Sequence, residues 1–108
     1  MNVGEITPRQ FLVRLTQPKP VVLVDVREDW ELKIAAVPVD FVHIPLGQLA
    51  QRAAELDPAT ETVVICRSGG RSLQAATYLA RQGFTQVNNL SGGILAWSAE
   101  LDPSIPVY

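Results

Sequence analysis

The feature that most constrains the fold is an alternation: short β-branched runs, each followed at once by a stretch with helical spacing. "VVLVDV" (Val21 to Val26), "TVVIC" (Thr62 to Cys66) and "VNNL" (Val87 to Leu90) are such runs. The first two lack the in-out pattern of a half-exposed strand and read as strands covered on both faces. "FVHI" (Phe41 to Ile44) reads as a further short strand, and the residues near Val3 as an edge strand. In "ITPRQF", Thr7 is the N-cap, Pro8 takes the first helical position and Gln10 completes a capping box. Ile6 and Phe11 are spaced for a hydrophobic staple, so a helix is expected to run to about Thr16. "DWELKIAAV" puts Trp30, Ile34 and Val37 on one helical face, with Pro38 ending it. From Leu46, apolar residues keep helical spacing as far as Leu56. Ser72 to Gln82 is expected to turn Leu73, Ala76, Leu79 and Ala80 inward, closed by Gly83, and a last helix follows "SGG" through "ILAWSAE".

Strands alternating with helices imply an α/β fold, with right-handed crossovers, a parallel sheet and helices on both faces. Ligands of such sheets bind beyond the carboxyl ends of the strands. "TVVIC" delivers Cys66, the only cysteine, to that edge.

Size and charge narrow the function. A chain of 108 residues fits a single domain that needs no disulfide or metal staple. One cysteine excludes an internal disulfide and any zinc site with two thiolates. The N-terminus has no pattern of a secretory signal, and no apolar run approaches a membrane span. The expectation is a reduced, cytoplasmic protein without cofactor or metal. Net charge is −2, yet Thr62 to Ala99 holds no Asp or Glu and three arginines, Arg67, Arg71 and Arg81. A local positive field of this size suits a small anionic ligand, whereas nucleic acid would want a broad basic face.

The segment after Cys66 explains why that field matters. Arg67, Ser68, Gly69, Gly70 and Arg71 form a short turn into a helix N-terminus, where successive N–H groups can aim at one point. Gly69 and Gly70 permit positive φ and leave the cradle open. The helix dipole and two guanidinium groups add to the positive potential. Such surroundings commonly bring a cysteine from about 8.5 down to roughly 3.5–7.5, making it a nucleophile at neutral pH. The same cradle suits the terminal anion of a persulfide. With no second cysteine, the sulfur must leave to an external thiol or cyanide, which is transferase logic.

These residues resemble a known family. "CRSGGRS", "GF..V.NL.GG...W", "VVLVDVRE" and "HIPLGQL" together are similar to the single-domain rhodanese-like sulfurtransferases over nearly the whole chain. The resemblance implies a five-stranded, mostly parallel sheet with helices on both faces. It implies Cys66 as the sulfur-accepting nucleophile, with residues 67–71 completing a six-residue loop around the sulfur. Arg67 and Arg71 become anion-recognition candidates, Ser68 and Ser72 loop-orienting ones, and Asp25 and Arg27 a structural ion pair. The implied partners are a small anionic donor such as thiosulfate, or a persulfide, and a thiol acceptor, small or protein-borne; neither nucleic acid nor membrane is implied. Where relatives commonly carry a glycine-rich "GHIPGA"-like turn, this chain reads "AAVPVDFVHIP".

Two other readings compete. Phosphatases and arsenate reductases of related fold use a longer loop with Cys, five residues, Arg; here that spacing lands on Ser72, and Arg71 comes too early. This argues against a phosphatase and leaves an arsenate reductase-like enzyme as the weaker alternative. A non-catalytic interaction module is the other, and the presence of Cys66 speaks against it. His43, the only histidine, reads as a packing residue rather than a base. Trp30 and Trp97 read as core aromatics, Ser72 is a candidate N-cap, and Asn88 and Asn89 read as turn residues at a strand end.

Overall fold

A computed structural model describes residues 2–108. Five strands, β1 (Val3–Ile6), β2 (Val21–Asp25), β3 (Val42–His43), β4 (Glu61–Ile65) and β5 (Val87–Leu90), form one sheet in the order β1-β5-β4-β2-β3. Every pairing is parallel. Each of the four connections between strands is therefore a crossover and carries a helix, α1 (Pro8–Leu15), α2 (Asp29–Ile34), α3 (Leu49–Arg52) or α4 (Gly70–Arg81), and α5 (Gly93–Glu100) follows the last strand. The α/β architecture, the buried central strands and the edge strand at Val3 are as the sequence leads one to expect.

β4 lies at the centre, buried along its whole length. Its side chains alternate between two cores. Val63 and Ile65 face Phe11, Ile94 and Trp97, which come from α1 and α5. Val64 and Cys66 face Leu49 and the α4 residues Ala75, Ala76 and Leu79. Phe11 and Trp97 meet at a ring-centroid distance of 6.1 Å. Cys66 thus belongs to the α4 side of the sheet, where β4 ends and the turn into α4 begins.

The caps of α1 form as expected: the Thr7 hydroxyl accepts from the Gln10 amide at 3.1 Å, and the Gln10 side chain accepts from the Thr7 amide at 2.9 Å. A cap of this kind is worth about 1 kcal/mol.

Several expectations need correction. α2 stops at Ile34, because Ala35 turns extended with φ of −153°. That extension lets Ala35 and Val37 drop into the α1–α5 core without helical spacing. Trp30 is not a core aromatic: it is 59% exposed and packs edge-on against Tyr108 at 6.4 Å. Trp97 is buried as expected. Only Val42–His43 of "FVHI" is strand, and the segment from Leu46 to Glu55 is one α-helical turn between two 3-10 turns. Leu73 is exposed, since α4 begins at Gly70 and its inward stripe runs Ser72, Ala75, Ala76, Leu79, Ala80. By hydropathy alone the inward place would go to Leu73, the more apolar neighbour of Ser72. No helix among the described residues is long and apolar enough to cross a membrane.

Candidate active site

The carboxyl ends of β4, β2 and β5 meet at one edge of the sheet, and the turn Arg67–Gly69 fills the space above β4. Gly69, with φ of +108°, is the N-cap of α4. That conformation favours glycine, and it folds the chain back so that the Gly69 amide donates to Cys66 Sγ at 3.1 Å. Ser72 is therefore not the N-cap. It sits inside the first helical turn, buried, with its hydroxyl 3.2 Å from the sulfur.

A second pair of glycines holds the loop from below. Gly92 and Gly93 start α5 with φ of +74° and +60°. The α5 amides of Ile94 and Leu95 then donate to the carbonyls of Cys66 and Arg67 at 2.9 and 3.1 Å. A Cβ on Gly93 would lie 2.4 Å from the Cys66 carbonyl oxygen. "SGG" is thus the seat of the cysteine loop, not merely a helix start.

Cys66 is 1% exposed. Burial alone pushes a thiol pKa up, but the Ser72 hydroxyl, when it turns its proton to the sulfur, and the main-chain amides of Ser72, Gly69 and Ser68 favour the thiolate, and the net direction is downward. A space-filling cysteine would face only aliphatic groups. This one faces a ring of donors.

Each of the two loop arginines is tied to a partner outside the loop. Arg71 is fork-bonded to Glu31 of α2, at 2.6 and 2.9 Å. Arg67 Nε donates to the main-chain oxygen of Tyr108 at 2.6 Å, and its guanidinium lies 5.2 Å from the Tyr108 ring centre. Arg71 holds Glu31 down to about 2, with the Tyr108 and Glu28 hydrogen bonds helping against burial. The Arg71 pKa is raised, chiefly by Glu31 and in smaller part by the Cys66 thiolate. The guanidinium charge next to the loop is thus largely matched by Glu31.

Asp25 and Arg27 form a fully buried pair, 2.8 Å apart at their closest. Arg27 also donates to the Ala35 carbonyl at 2.9 Å and to the Tyr108 hydroxyl at 2.9 Å. Tyr108 in turn donates to Glu31 at 2.7 Å. The chain Asp25–Arg27–Tyr108–Glu31–Arg71 therefore ties the end of β2 to the first turn of α4. His43 places Nε2 2.6 Å from the Arg27 carbonyl oxygen and Nδ1 3.5 Å from Asp29, bonded into the β2–α2 corner.

Sequence reasoning missed Glu31, Tyr108 and Asn89. Asn89 is not a turn residue; it lies within β5, buried, and its side chain reaches Ser72 and Gly69. A buried amide in the last turn-ward half of a strand was the available signal. Glu31 and Tyr108 carry none, since Glu31 lies 40 residues from Arg71 and 77 from Tyr108 in sequence.

Fold and site together define a rhodanese-like protein: a parallel five-stranded sheet carrying a cysteine in a ring of amides at the end of its central strand. The family comparison agrees, matching the rhodanese-like domain over residues 7–100, and the chain belongs to that family. A sulfurtransferase of Allochromatium vinosum is 38% identical over 96 residues, covering 89% of each chain. The rhodanese-like/PpiC domain-containing protein 12 of Arabidopsis thaliana is 47% identical over 90 residues, 80% of this chain but 30% of that longer protein. The crystal structure of a rhodanese-related protein from Thermoplasma volcanium superposes with a TM-score of 0.82 at 25% identity, covering 97% of this chain and 99% of that one.

Proposed function

We infer that the protein is a sulfurtransferase that moves a sulfane sulfur through a persulfide on Cys66. The observation that carries this is the ring of main-chain donors around Sγ, the Gly69 amide at 3.1 Å with the amides of Ser68 and Ser72 beside it, at the start of a twelve-residue helix. The same donors favour a thiolate before sulfur uptake and an anionic terminal sulfur after it. Homology to a sulfurtransferase over most of both chains supports the reaction class.

The donor we assign is thiosulfate or a persulfide. With thiosulfate, the Cys66 thiolate attacks the outer sulfur, an S–S bond forms to Cys66, and the S–S bond of thiosulfate breaks to release sulfite. Cyanide or a thiolate then attacks the terminal sulfur and takes it, and the Cys66 thiolate returns. Ser68, Gly69, Gly70 and Ser72 shape the cradle. Arg67 and Arg71 orient an anionic donor at its rim while anchored to Tyr108 and Glu31. Asp25 and Arg27 give structural support. One domain, one cysteine and this chemistry suit the reducing cytoplasm.

The test is an intact mass after incubation with thiosulfate, beside Cys66→Ser, and again after cyanide. The expected result is one added sulfur on the native chain only, released by cyanide as thiocyanate. Folded protein with a free thiol that takes no sulfur from thiosulfate or from a persulfide donor would overturn the reading, and reduction of arsenate by that protein would replace it.

A further inference from the structure

The Ser72 hydroxyl has one proton and two claimants. It lies 2.5 Å from Asn89 Oδ1 and 3.2 Å from Cys66 Sγ. The orientation of the Asn89 amide decides which claim is served. Its Nδ2 sits 3.2 Å from a Glu5 carboxylate oxygen and 3.2 Å from the Gly69 carbonyl, both acceptors only. The amide cannot flip without facing oxygen to oxygen, so Oδ1 is fixed toward Ser72. Ser72 must then donate to Asn89, and it offers Cys66 a lone pair that suits the thiol, S–H, rather than the thiolate. For the thiolate to gain the hydroxyl as a donor, Ser72 has to rotate away and leave Oδ1 without its proton. Asn89 is 4% exposed, so water is a poor replacement.

We propose that Asn89 is a positioning residue that acts on Cys66 through Ser72, holding the hydroxyl proton away from the sulfur and thereby restraining thiolate formation. Glu5, from the edge strand β1, fixes Asn89 in that role. The inference deepens the sulfurtransferase reading, since it concerns the same cysteine, but needs only that Cys66 ionises. The other charged or titratable groups around the sulfur are Arg67 on the loop, Arg71 on α4, Glu31 on α2 paired to it, and Tyr108 bridging them. From α5 come main-chain amides, directed at the Cys66 and Arg67 carbonyls rather than at the sulfur.

The restraint has a sign that a merely structural role would not give. Asn89→Leu keeps the shape but removes the competing acceptor. The Gly69 carbonyl still accepts from the Leu73 amide, and Glu5 still accepts from Ser91. Ser72 is then free to donate to sulfur, and the Cys66 pKa should fall by roughly 0.5–1 unit, the worth of one hydrogen bond. Ser72→Ala removes the hydroxyl from both claims and supplies the control background. In the Ser72→Ala background, Asn89→Leu should change nothing, because the intermediary is gone.

The measurement is the rate of Cys66 alkylation by iodoacetamide against pH, with thermal melting to establish folding, on the native chain, both single variants and the double. A fall in pKa for Asn89→Leu that vanishes in the double variant is the expected result. A rise, no change, or an equal shift with and without Ser72 would overturn the proposal. Should Asn89→Leu fail to fold, Glu5→Gln at an exposed position serves instead. It removes one of the two acceptors that hold the Asn89 amide, leaving the Gly69 carbonyl, and should lower the pKa in the same direction, and the part that survives in Ser72→Ala is its through-space charge effect. A shift undiminished there would equally refute the relay. Alkylation needs no sulfur donor, so these results and those of the sulfur-uptake test are independent.

Discussion

Glu31→Gln tests whether the clamp between α2 and α4 is an ionic one. The Glu31 carboxyl is 3% exposed and accepts from both terminal nitrogens of Arg71 and from the Tyr108 hydroxyl. These bonds, Arg71 foremost, hold its pKa at about 2, below its ordinary 4.5. At roughly 1.4 kcal/mol per unit, the displacement corresponds to a ceiling of about 3 kcal/mol. Arg71 is 35% exposed, so solvent screening reduces this to about 1–2 kcal/mol. The sign follows from proton binding: with the folded pKa depressed, the unfolded chain binds more protons, so the contribution is whole above pH 4.5 and is lost as pH falls toward 2. Glu31→Gln should therefore cost about 1–2 kcal/mol at pH 7, or roughly 5–10 °C in Tm. Near pH 2 the variant and the native chain should converge, because a protonated Glu resembles Gln. Urea denaturation at low ionic strength, at neutral and at acid pH, measures both values. A deficit that stays constant with pH would show that shape, not charge, makes the clamp, and would refute the reasoning.

Arg71→Ala should raise the KM for thiosulfate more than it slows alkylation of Cys66; equal losses would mean that the arginine serves the cysteine or the fold instead of the donor. Gly93→Ala should cost more than about 2 kcal/mol, from a positive φ and a Cβ driven against the Cys66 and Arg67 carbonyls at 2.4 and 2.5 Å. Gly70→Ala, with open space around its Cβ, should stay within about 0.5 kcal/mol by the same denaturation assay.

What was legible in the sequence was what depends on neighbours along the chain. The Thr7 capping box, the two-faced burial of β4 and the turn after Cys66 each follow from local pattern, and each is found. Hydrophobic ranking misled wherever the site needed polarity inside. Leu73 was given the inward place that Ser72 holds, and Asn89 was sent to a turn although it sits buried in β5. Both errors fall on one polar chain that runs from Asn89 through Ser72 to the sulfur. Trp30 failed for another reason: helix α2 is only six residues long, ends before Ala35, and turns that face outward to Tyr108. The partners of Arg67 and Arg71 lie 41 and 40 residues distant, and no spacing rule reaches that far.

Those distant partners change the electrostatic picture of the site. Along the chain, three arginines without an acidic neighbour suggest a cationic funnel around Cys66. In space, Glu31 meets Arg71 and the Tyr108 main-chain oxygen meets Arg67, so much of that charge is spent on holding the loop's rim to α2 and to the Tyr108 segment. What remains aimed at the sulfur is short-range: the main-chain amides of the Arg67–Ser72 turn. Such donors act within a hydrogen-bond length, in a site that water scarcely enters, where salt screens them little. They also suit the proposed persulfide, whose charge would lie one sulfur atom further out, because a turn presents several N–H groups rather than a single fixed cation. The arginines give the rim its shape; the backbone amides hold the charge.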